Sequence, residues 1–375
     1  MKNLNRAKAQ INLSALKNNA QQIQQHIGCD TQIIAVIKAE GYGHGMIKTA
    51  QTLFDAGIKM FGVAIIDEAI DLREAGIKSR ILIMGAGFES TNADFINHDC
   101  EQTVYSYAMA KSINSAAKKL NKIASIQIKI DTGMNRLGFL PTKKSILEIE
   151  TIFDMPNIKV TGIFSHLASS SSSDKSYTYM QHMRFKSMID SLKAKGINIP
   201  HLHISNSGAV LNHPHLNYDA VRPGIILYGI YPDKNINKTS LKLEPVMSLK
   251  SVVSFIKTIK KGECVSYDAA FKAKKPTVVV TVPIGYADGF RKGLGNGRGR
   301  VLINGVFCPV IGQVCMDQFM VDASDCGAVK IEDEVVIIGR QGDNSICLEE
   351  LSDAAKTIPY EIMCGFSNRV PREFV

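Results

Sequence analysis

The sequence predicts an α/β fold in two parts: an N-terminal (β/α)8 TIM-type barrel over residues 1–240 and a C-terminal mostly-β domain over residues 241–375. Three observations predict it. Between about residues 32 and 222, eight short apolar, β-branched runs alternate with stretches of helical spacing. Glycines fall where the intervening helices should stop. After Tyr231 the texture changes to strand-rich sequence with few helical patterns.

The eight runs, in order, are QIIAVI, MFGVA, ILIM, TVYS, IQIKI, IKVTGIFS, HLHIS and the stretch ending AVRPG. Residues 66–75 and 176–195 have amphipathic helical spacing, and Gly57, Gly76 and Gly196 sit at expected helix ends. Eight units of this size favour a closed parallel barrel, although periodicity alone also accommodates an open doubly wound sheet. The polar linker PDKNINKTS follows, then the strand patterns VMSLKSVVSFIKTI, PTVVVTVPI, RVLINGVFCPVIGQV and DEVVIIG, interrupted by one late helix near residues 348–356. The serine run 169–173 reads as a flexible surface loop.

With 375 residues and two domains, the chain buries a large core without disulfides or metal. Its 44 Lys+Arg against 35 Asp+Glu give a net charge of +9, spread without a basic run, and Trp is absent. That argues against a nucleic-acid platform and for a small acidic ligand. The eight cysteines show no CxxC pair and no histidine at ligand spacing, which predicts reduced thiols and no metal site. The first residues lack an apolar core for a signal peptide, and no stretch approaches a membrane span, so a cytoplasmic enzyme is expected.

The unusual polar residues share one location. Lys38 ends the first barrel strand, Lys129 lies in the fifth with Arg136 just beyond, and His166 ends the sixth. Asn206 and Ser207 follow the seventh, and Arg222 and Gly224 the eighth. All lie at carboxyl ends, the mouth where barrels do chemistry. Lys38 closes an apolar run, where desolvation lowers an amine's pKa as a Schiff-base lysine requires; a strand-end lysine reaching solvent is the alternative. Gly41, Gly43 and Gly45 let backbone approach a bulky ligand. Ser207 and the backbone at Gly224 and Ile225 fall where barrels hold phosphate, so the set suggests a phosphorylated aldehyde cofactor.

Nine segments then carry a resemblance: AVIKAEGYGHG, KIDTGMNRLGF, GIFSHLA, AVRPGIILYG, LEPVMSLKS, VSYDAAF, VPIGYADGF, GQVCMDQFMVD and YEIMCGFSNRVPREF. In this order, from about residue 11 to 374, they resemble the bacterial alanine racemases that depend on pyridoxal 5'-phosphate. The resemblance implies interconversion of L- and D-alanine, supply of D-alanine for peptidoglycan, and a homodimer whose sites combine one barrel with the partner's β domain. It also implies residue roles. Lys38 would hold the cofactor covalently and act as one base, and Tyr267 would be the second base, at the partner's cofactor. Tyr42, Ser207, Gly224, Ile225 and Tyr360 would bind phosphate. Arg222 would meet the pyridine nitrogen, oriented by His166, with Asn206 beside them. Arg136 and the Met316 backbone would meet the substrate. Lys129 would be carbamylated to orient Arg136, with a chloride ion or solvent exposure as the alternatives.

Some positions depart from the family pattern. Glu40-Gly41 replaces Asn-Ala, Asp268 replaces a glycine, Pro359 replaces an asparagine, and Gln313 stands where arginine is frequent. The acidic residue that such an arginine pairs with, in the loop after the sixth strand, is also missing from the serine run. A neutral substrate corridor without charged partners is therefore expected, with Asp268 facing solvent. A racemase of serine, lysine or a broad set of amino acids is the competing reading.

Overall fold

The computed structural model describes residues 6–234, 236 and 238–375. Residues 1–5 of the expected leaderless start, and Asn235 and Asn237 of the expected linker, lie outside the described residues. The chain divides into two compact units: Ala15–Gly41 with Met46–Glu244, and Met1–Ser14 with Tyr42–Gly45 and Pro245–Val375.

The first elements are β1 (Ala7–Ile11) and α1 (Leu13–Ile27). The barrel strands are β2 (Gln32–Val36), β3 (Met60–Val63), β4 (Arg80–Ile83), β5 (Glu101–Val104), β6 (Ala124–Lys129), β7 (Ile158–Phe164), β8 (Leu202–Asn206) and β9 (Ala220–Arg222). All pair in parallel with their sequence neighbours, and Gln32 and Ile33 close the ring against Ala220 and Val221. The eight runs read from the sequence are these eight strands. Parallel strands are covered on both faces, which is why they read as continuous apolar runs instead of alternating ones.

A turn, α2 (Lys38–Gly43), and the helices α3 (Met46–Asp55), α4 (Ile66–Glu74), α5 (Asn92–Asn97), α6 (Tyr107–Lys119), α7 (Lys143–Phe153), α8 (Ser176–Ala194) and α9 (Ser207–Asn212) fill the connections. Ser106 and Thr142 cap α6 and α7 by accepting the Met109 and Ser145 amides at 3.2 Å. Inside the barrel Ile34, Met60, Leu82 and Ala220 pack together with Met84.

The second unit is a mostly antiparallel sheet. Its strands are β10 (Met247–Val252), β11 (Phe255–Ile259), β12 (Cys264–Val265), β13 (Phe271–Lys272), β14 (Thr277–Val282), β15 (Arg300–Ile303), β16 (Val306–Ile311), β17 (Phe319–Asp322), β18 (Glu334–Gln341), β19 (Asn344–Ile346) and β20 (Arg372–Phe374). The main sheet runs β11-β14-β17-β16-β15-β18-β10-β1-β20. β15 and β16 meet through Asn304-Gly305, both at positive φ (52° and 77°), the asparagine-glycine turn that matches the twist of a hairpin.

Two expectations change here. β1 does not belong to the barrel: Ala7 to Ile11 pair antiparallel with Ser251 to Met247, while Ala9 to Ile11 pair in parallel with Arg372 to Phe374. The late helix is followed by a second one, so that α10 (Leu348–Ala354) and α11 (Pro359–Gly365) stand before β20. Proline opens α11, where its missing N–H is no loss. Among the described residues no helix is long and apolar enough to cross a membrane.

Candidate active site

Strand β2 delivers Lys38 to the carboxyl-end rim of the barrel. Its end is held by Val36 N–H donating to Pro223 O and Ile37 N–H donating to Gly62 O, both at 3.0 Å. The chain then turns left-handed, with Ala39, Glu40, Gly41, Tyr42 and Gly43 all at φ between 53° and 80°. For L-residues this hand costs about 1–2 kcal/mol each, so the three non-glycine residues of the run need outside support. Glu68 on α4 supplies it: one carboxylate oxygen accepts Ala39 N–H at 2.6 Å and the other accepts Ala64 N–H at 2.7 Å. Gly43 supplies more, because a Cβ there would lie 2.2 Å from Met363 O. The glycines around Lys38 thus answer a backbone requirement, beyond the ligand access expected of them.

Lys129 ends β6, is 3% exposed, and sets its Nζ 4.7 Å from the centroid of the Phe164 ring. The loop that follows doubles back on the strand, with Phe139 N–H donating to Lys129 O at 2.8 Å. Asp131 ties the loop by accepting the Gly133 and Asn135 amides at 2.9 and 3.0 Å. The fold-back brings Arg136 within electrostatic reach of Lys129. Burial first, then the charges of Arg222 and Arg136, pull the Lys129 ammonium down to about 7, with Asp131 opposing.

Arg222 ends β9 and is buried. Its Nη2 donates to Ser165 O at 2.6 Å and Ile204 O at 3.1 Å, its Nη1 donates to His203 Nδ1, and His166 Nδ1 lies 3.4 Å away. The acceptors it meets are two carbonyls and an imidazole. Burial, aided by Arg136, lowers its pKa to about 9, which still leaves the guanidinium protonated at neutral pH. His166 is held well below the usual imidazole range by burial and then by Arg222, Lys129, Arg136 and Lys38. Four basic side chains from three strand ends therefore press on one neutral ring.

Beside them, Asn206 caps α9 by accepting Ala209 N–H at 3.1 Å, and its Nδ2 donates to Leu167 O at 3.1 Å. Ser207 Oγ accepts Gly224 N–H at 2.9 Å, joining the loops after β8 and β9, with Ile225 buried next to it. The serine run is not the free loop expected. Ser170 is 4% exposed and its hydroxyl donates to Asn206 Oδ1 at 2.6 Å. The serines pack closely on Gly208, where a Cβ would lie 2.5 Å from Ser171 Oγ and 2.6 Å from Ser170 Oγ.

The one-sided distribution of polar residues also needs correction. Glu101 at the start of β5, Gln127 within β6 and His203 within β8 are buried and hydrogen-bonded to one another below the mouth. A polar residue inside an apolar run, as in IQIKI and HLHIS, was the available signal.

In the β unit, Tyr42 and Tyr360 approach with ring centroids 5.9 Å apart. Burial pushes the Tyr360 hydroxyl up to about 12, and burial with Tyr360 and Cys364 nearby pushes Tyr42 up further. Tyr267 is 67% exposed in a short turn in which Ser266, Asp268 and Ala269 have φ of 70°, 58° and 50°. Gln313 Nε2 donates to Asp268 Oδ2 at 2.6 Å, and Ser266 Oγ donates to Gln313 O at 2.8 Å. Gln313 thus has a charged partner, Asp268, in its own chain, which the expectation of a corridor without charged partners did not include. Met316 is 53% exposed, on a loop held by Ala287 N–H donating to Met316 O at 3.0 Å.

The barrel mouth fits the cofactor class expected from the sequence. Its cations suit an anion, and the Ser207–Gly224 corner brings a hydroxyl and backbone together. Among the described residues no cluster of potential metal ligands is present.

Comparison with known proteins agrees with this geometry. Residues 11–232 match the family model for the alanine racemase N-terminal domain, and residues 246–374 match that for the alanine racemase C-terminal domain. The chain is 43% identical to the alanine racemase of Clostridium tetani over 367 residues, covering 98% of this chain and 95% of that one. Its structure superposes on that of Clostridium difficile 630 alanine racemase with a TM-score of 0.95 at 38% identity, covering 99% and 96% of the two chains. The Bartonella henselae alanine racemase, solved with covalently bound pyridoxal phosphate, gives a TM-score of 0.88 at 30% identity, with 99% of each chain covered. With both halves matched in order across nearly the whole length, the chain belongs to the alanine racemase family.

Proposed function

We propose that this protein interconverts L- and D-alanine with pyridoxal phosphate bound through Lys38, and that the D-alanine serves peptidoglycan synthesis. The observation that carries the reading is the set of four basic side chains, Lys38, Lys129, Arg136 and Arg222, around the neutral His166, with Arg222 meeting carbonyls and an imidazole in place of a carboxylate. The cofactor bound covalently in the Bartonella henselae relative supports the choice of cofactor. Ser207, Gly224 and Ile225 of the barrel would hold its phosphate, the role the resemblance also gives Tyr42 and Tyr360, and Asn206 and His166 flank Arg222.

Bound pyridoxal phosphate withdraws electrons from the substrate Cα–H bond and so acidifies it. The protein's task is to move that proton between opposite faces. Lys38 Nζ takes or returns it on one face, and Tyr267 Oη on the other. Arg222 would present N–H groups to the pyridine nitrogen; as a guanidinium it donates a hydrogen bond but yields its proton reluctantly, which would limit charge delocalisation and side reactions. Arg136 and the Met316 backbone bind the substrate carboxylate.

A Lys129 amine titrating near 7 is substantially neutral at physiological pH, the form that adds carbon dioxide and releases an N–H proton to solvent. The resulting carbamate anion turns repulsion of Arg136 into attraction. Tyr267 and Met316 stand exposed on the β unit, which suits their use at a partner's barrel in a homodimer. The test is a racemisation assay of purified, cofactor-loaded protein on L-alanine, L-serine and L-lysine separately. Alanine should be turned over fastest; lysine turnover far above alanine, or activity on none, would overturn the reading.

A further inference from the structure

Arg222 rests on a chain of hydrogen bonds that crosses the barrel interior. Its Nη1 donates to His203 Nδ1, and His203 Nε2 meets Gln127 Oε1 at 2.6 Å. Gln127 Nε2 donates to Glu101 Oε2 at 2.7 Å, and Thr161 Oγ1 donates to the same oxygen at 2.6 Å. Arg80 closes the chain at the amino end of the strands, with Nε on Glu101 Oε1 at 2.6 Å and Nη2 on Oε2 at 3.1 Å. Gln127 and His203 are fully buried and Glu101 nearly so.

The chemistry of these groups allows one arrangement. A guanidinium only donates, so His203 Nδ1 must accept and its ring proton must sit on Nε2. That proton needs an acceptor, which Gln127 provides only while its amide oxygen faces the ring. An amide buried between two polar groups has two orientations, and a carboxylate distinguishes them because it only accepts. Reversed, Gln127 would set oxygen against oxygen at Glu101 and N–H against N–H at His203. A charged imidazole is excluded as well, since it would aim a second donor at Arg222; burial and the Arg222 charge hold His203 well below the usual range.

We infer that Glu101, at the end of the barrel opposite the reaction, fixes the Gln127 amide and through it the Nε2–H tautomer of His203, making Glu101 and Gln127 positioning residues for Arg222. The effect on catalysis rests on the proposed racemase activity; the tautomer does not. Arg80 shields the Glu101 charge at the barrel floor and completes its hydrogen bonds, as a buried carboxylate requires.

The test uses the cofactor-loaded full chain labelled with 15N-histidine, in which two-bond nitrogen–proton correlations report the tautomer; the His203 signal is assigned by its loss in a His203→Gln variant. Wild type should show Nε2–H alone from pH 6 to 8. Glu101→Gln, which keeps the shape and removes the charge, should give mixed or Nδ1–H signal. It should also shift the cofactor's visible absorbance and lower kcat by about ten-fold with KM little changed. The exchange variant Glu101→Gln/Gln127→Glu, carrying Arg80→Met so that no guanidinium faces the new amide, restores an acceptor-only group beside His203, with the amide at position 101 donating to it and Thr161 turning to Ile126 O. It should recover the Nε2–H signal and bring kcat within about three-fold of wild type.

Wild-type His203 found as Nδ1–H or charged would overturn the inference, as would a Glu101→Gln protein with unchanged tautomer. A changed tautomer with unchanged absorbance and kcat would overturn the link to Arg222. Should Glu101→Gln not fold, the exchange variant decides: Nε2–H recovered supports the inference, and Nδ1–H or failure to fold overturns it. Absence of racemase activity with the tautomer behaviour intact would count against the proposed function instead.

Discussion

The Gln313 amide donates to the Asp268 carboxylate at 2.6 Å, and these are two of the positions at which the chain departs from its family's pattern. The contact sits next to Tyr267, in a turn with three residues at positive φ. Each departure makes sense as the other's partner. Asp268→Ala should therefore loosen the Tyr267 turn and lower kcat several-fold while leaving the melting temperature nearly unchanged, because the contact is exposed. Gln313→Arg should keep activity, its guanidinium pairing with Asp268. Steady-state kinetics of both variants check this; an inactive Gln313→Arg protein would contradict it.

Lys129 is a buried cation among cations. Its folded pKa, about 7, lies below the ordinary lysine value of 10.5, so between those values the unfolded chain binds the extra proton and stability rises with pH. In buffer freed of carbon dioxide, where no carbamate forms, Lys129→Met should raise stability at pH 7 by about 1–3 kcal/mol in urea titrations, since it removes an unfavourably buried amine. Activity should fall because Arg136 loses its orienting group. Labelled bicarbonate should give a carbamate 13C signal in wild type that this variant lacks.

Acid should unfold the protein earlier than its carboxylates alone would dictate. His203 and His166 have folded pKa values well below the ordinary 6.5, so their contribution is complete above pH 6.5 and is lost as pH falls below it, when the unfolded chain takes up protons the folded one refuses. The fully buried His203 alone gives a slope of up to about 1.4 kcal/mol per pH unit in that window. Urea midpoints at half-unit steps from pH 8 to 5 measure it, and a flat profile below 6.5 would refute it.

Glu68 holds the left-handed turn after Lys38. Glu68→Ala leaves the Ala39 and Ala64 amides without their acceptor, a loss of about 1–3 kcal/mol. Hydrogen exchange across residues 39–45 should quicken, and cofactor retention on dialysis should drop. Glu68→Gln, which keeps one acceptor, should fall between.

If sites are shared in a homodimer, Lys38→Ala and Tyr267→Phe proteins, each nearly inactive, should complement on mixed refolding. With about half the dimers mixed and one intact site in each, recovery approaches roughly a quarter of wild type. No recovery with mixed dimers demonstrated by differential tags would exclude shared sites.

Much of the barrel was legible because parallel strands covered on both sides carry their apolar character without interruption, and because Lys38, Lys129, His166 and Arg222 all fall at strand ends. What escaped depends on register and backbone hand. Glu101, Gln127 and His203 lie far apart in sequence and become neighbours only when the sheet closes. Glu68 is an ordinary helix carboxylate until Ala39 turns left-handed above it. The serines looked mobile because nothing in their composition reveals that Ser170 bonds Asn206. The Asp268–Gln313 contact joins residues 45 positions apart, beyond any local pattern.

β1 lies between β10 and β20, so this early strand has both its sheet neighbours made more than two hundred residues later. On the ribosome, Ala7–Ile11 emerges long before Met247–Val252 and Arg372–Phe374 can receive it. The whole barrel sequence is synthesised in the interval, so barrel assembly can precede completion of the β sheet. The β unit is completed only once β20 has emerged, by closing a very long loop, and that delay makes it the slower half to mature. An isolated C-terminal fragment would have β10 and β20 with bare edges, inviting intermolecular strand pairing in the place β1 normally occupies.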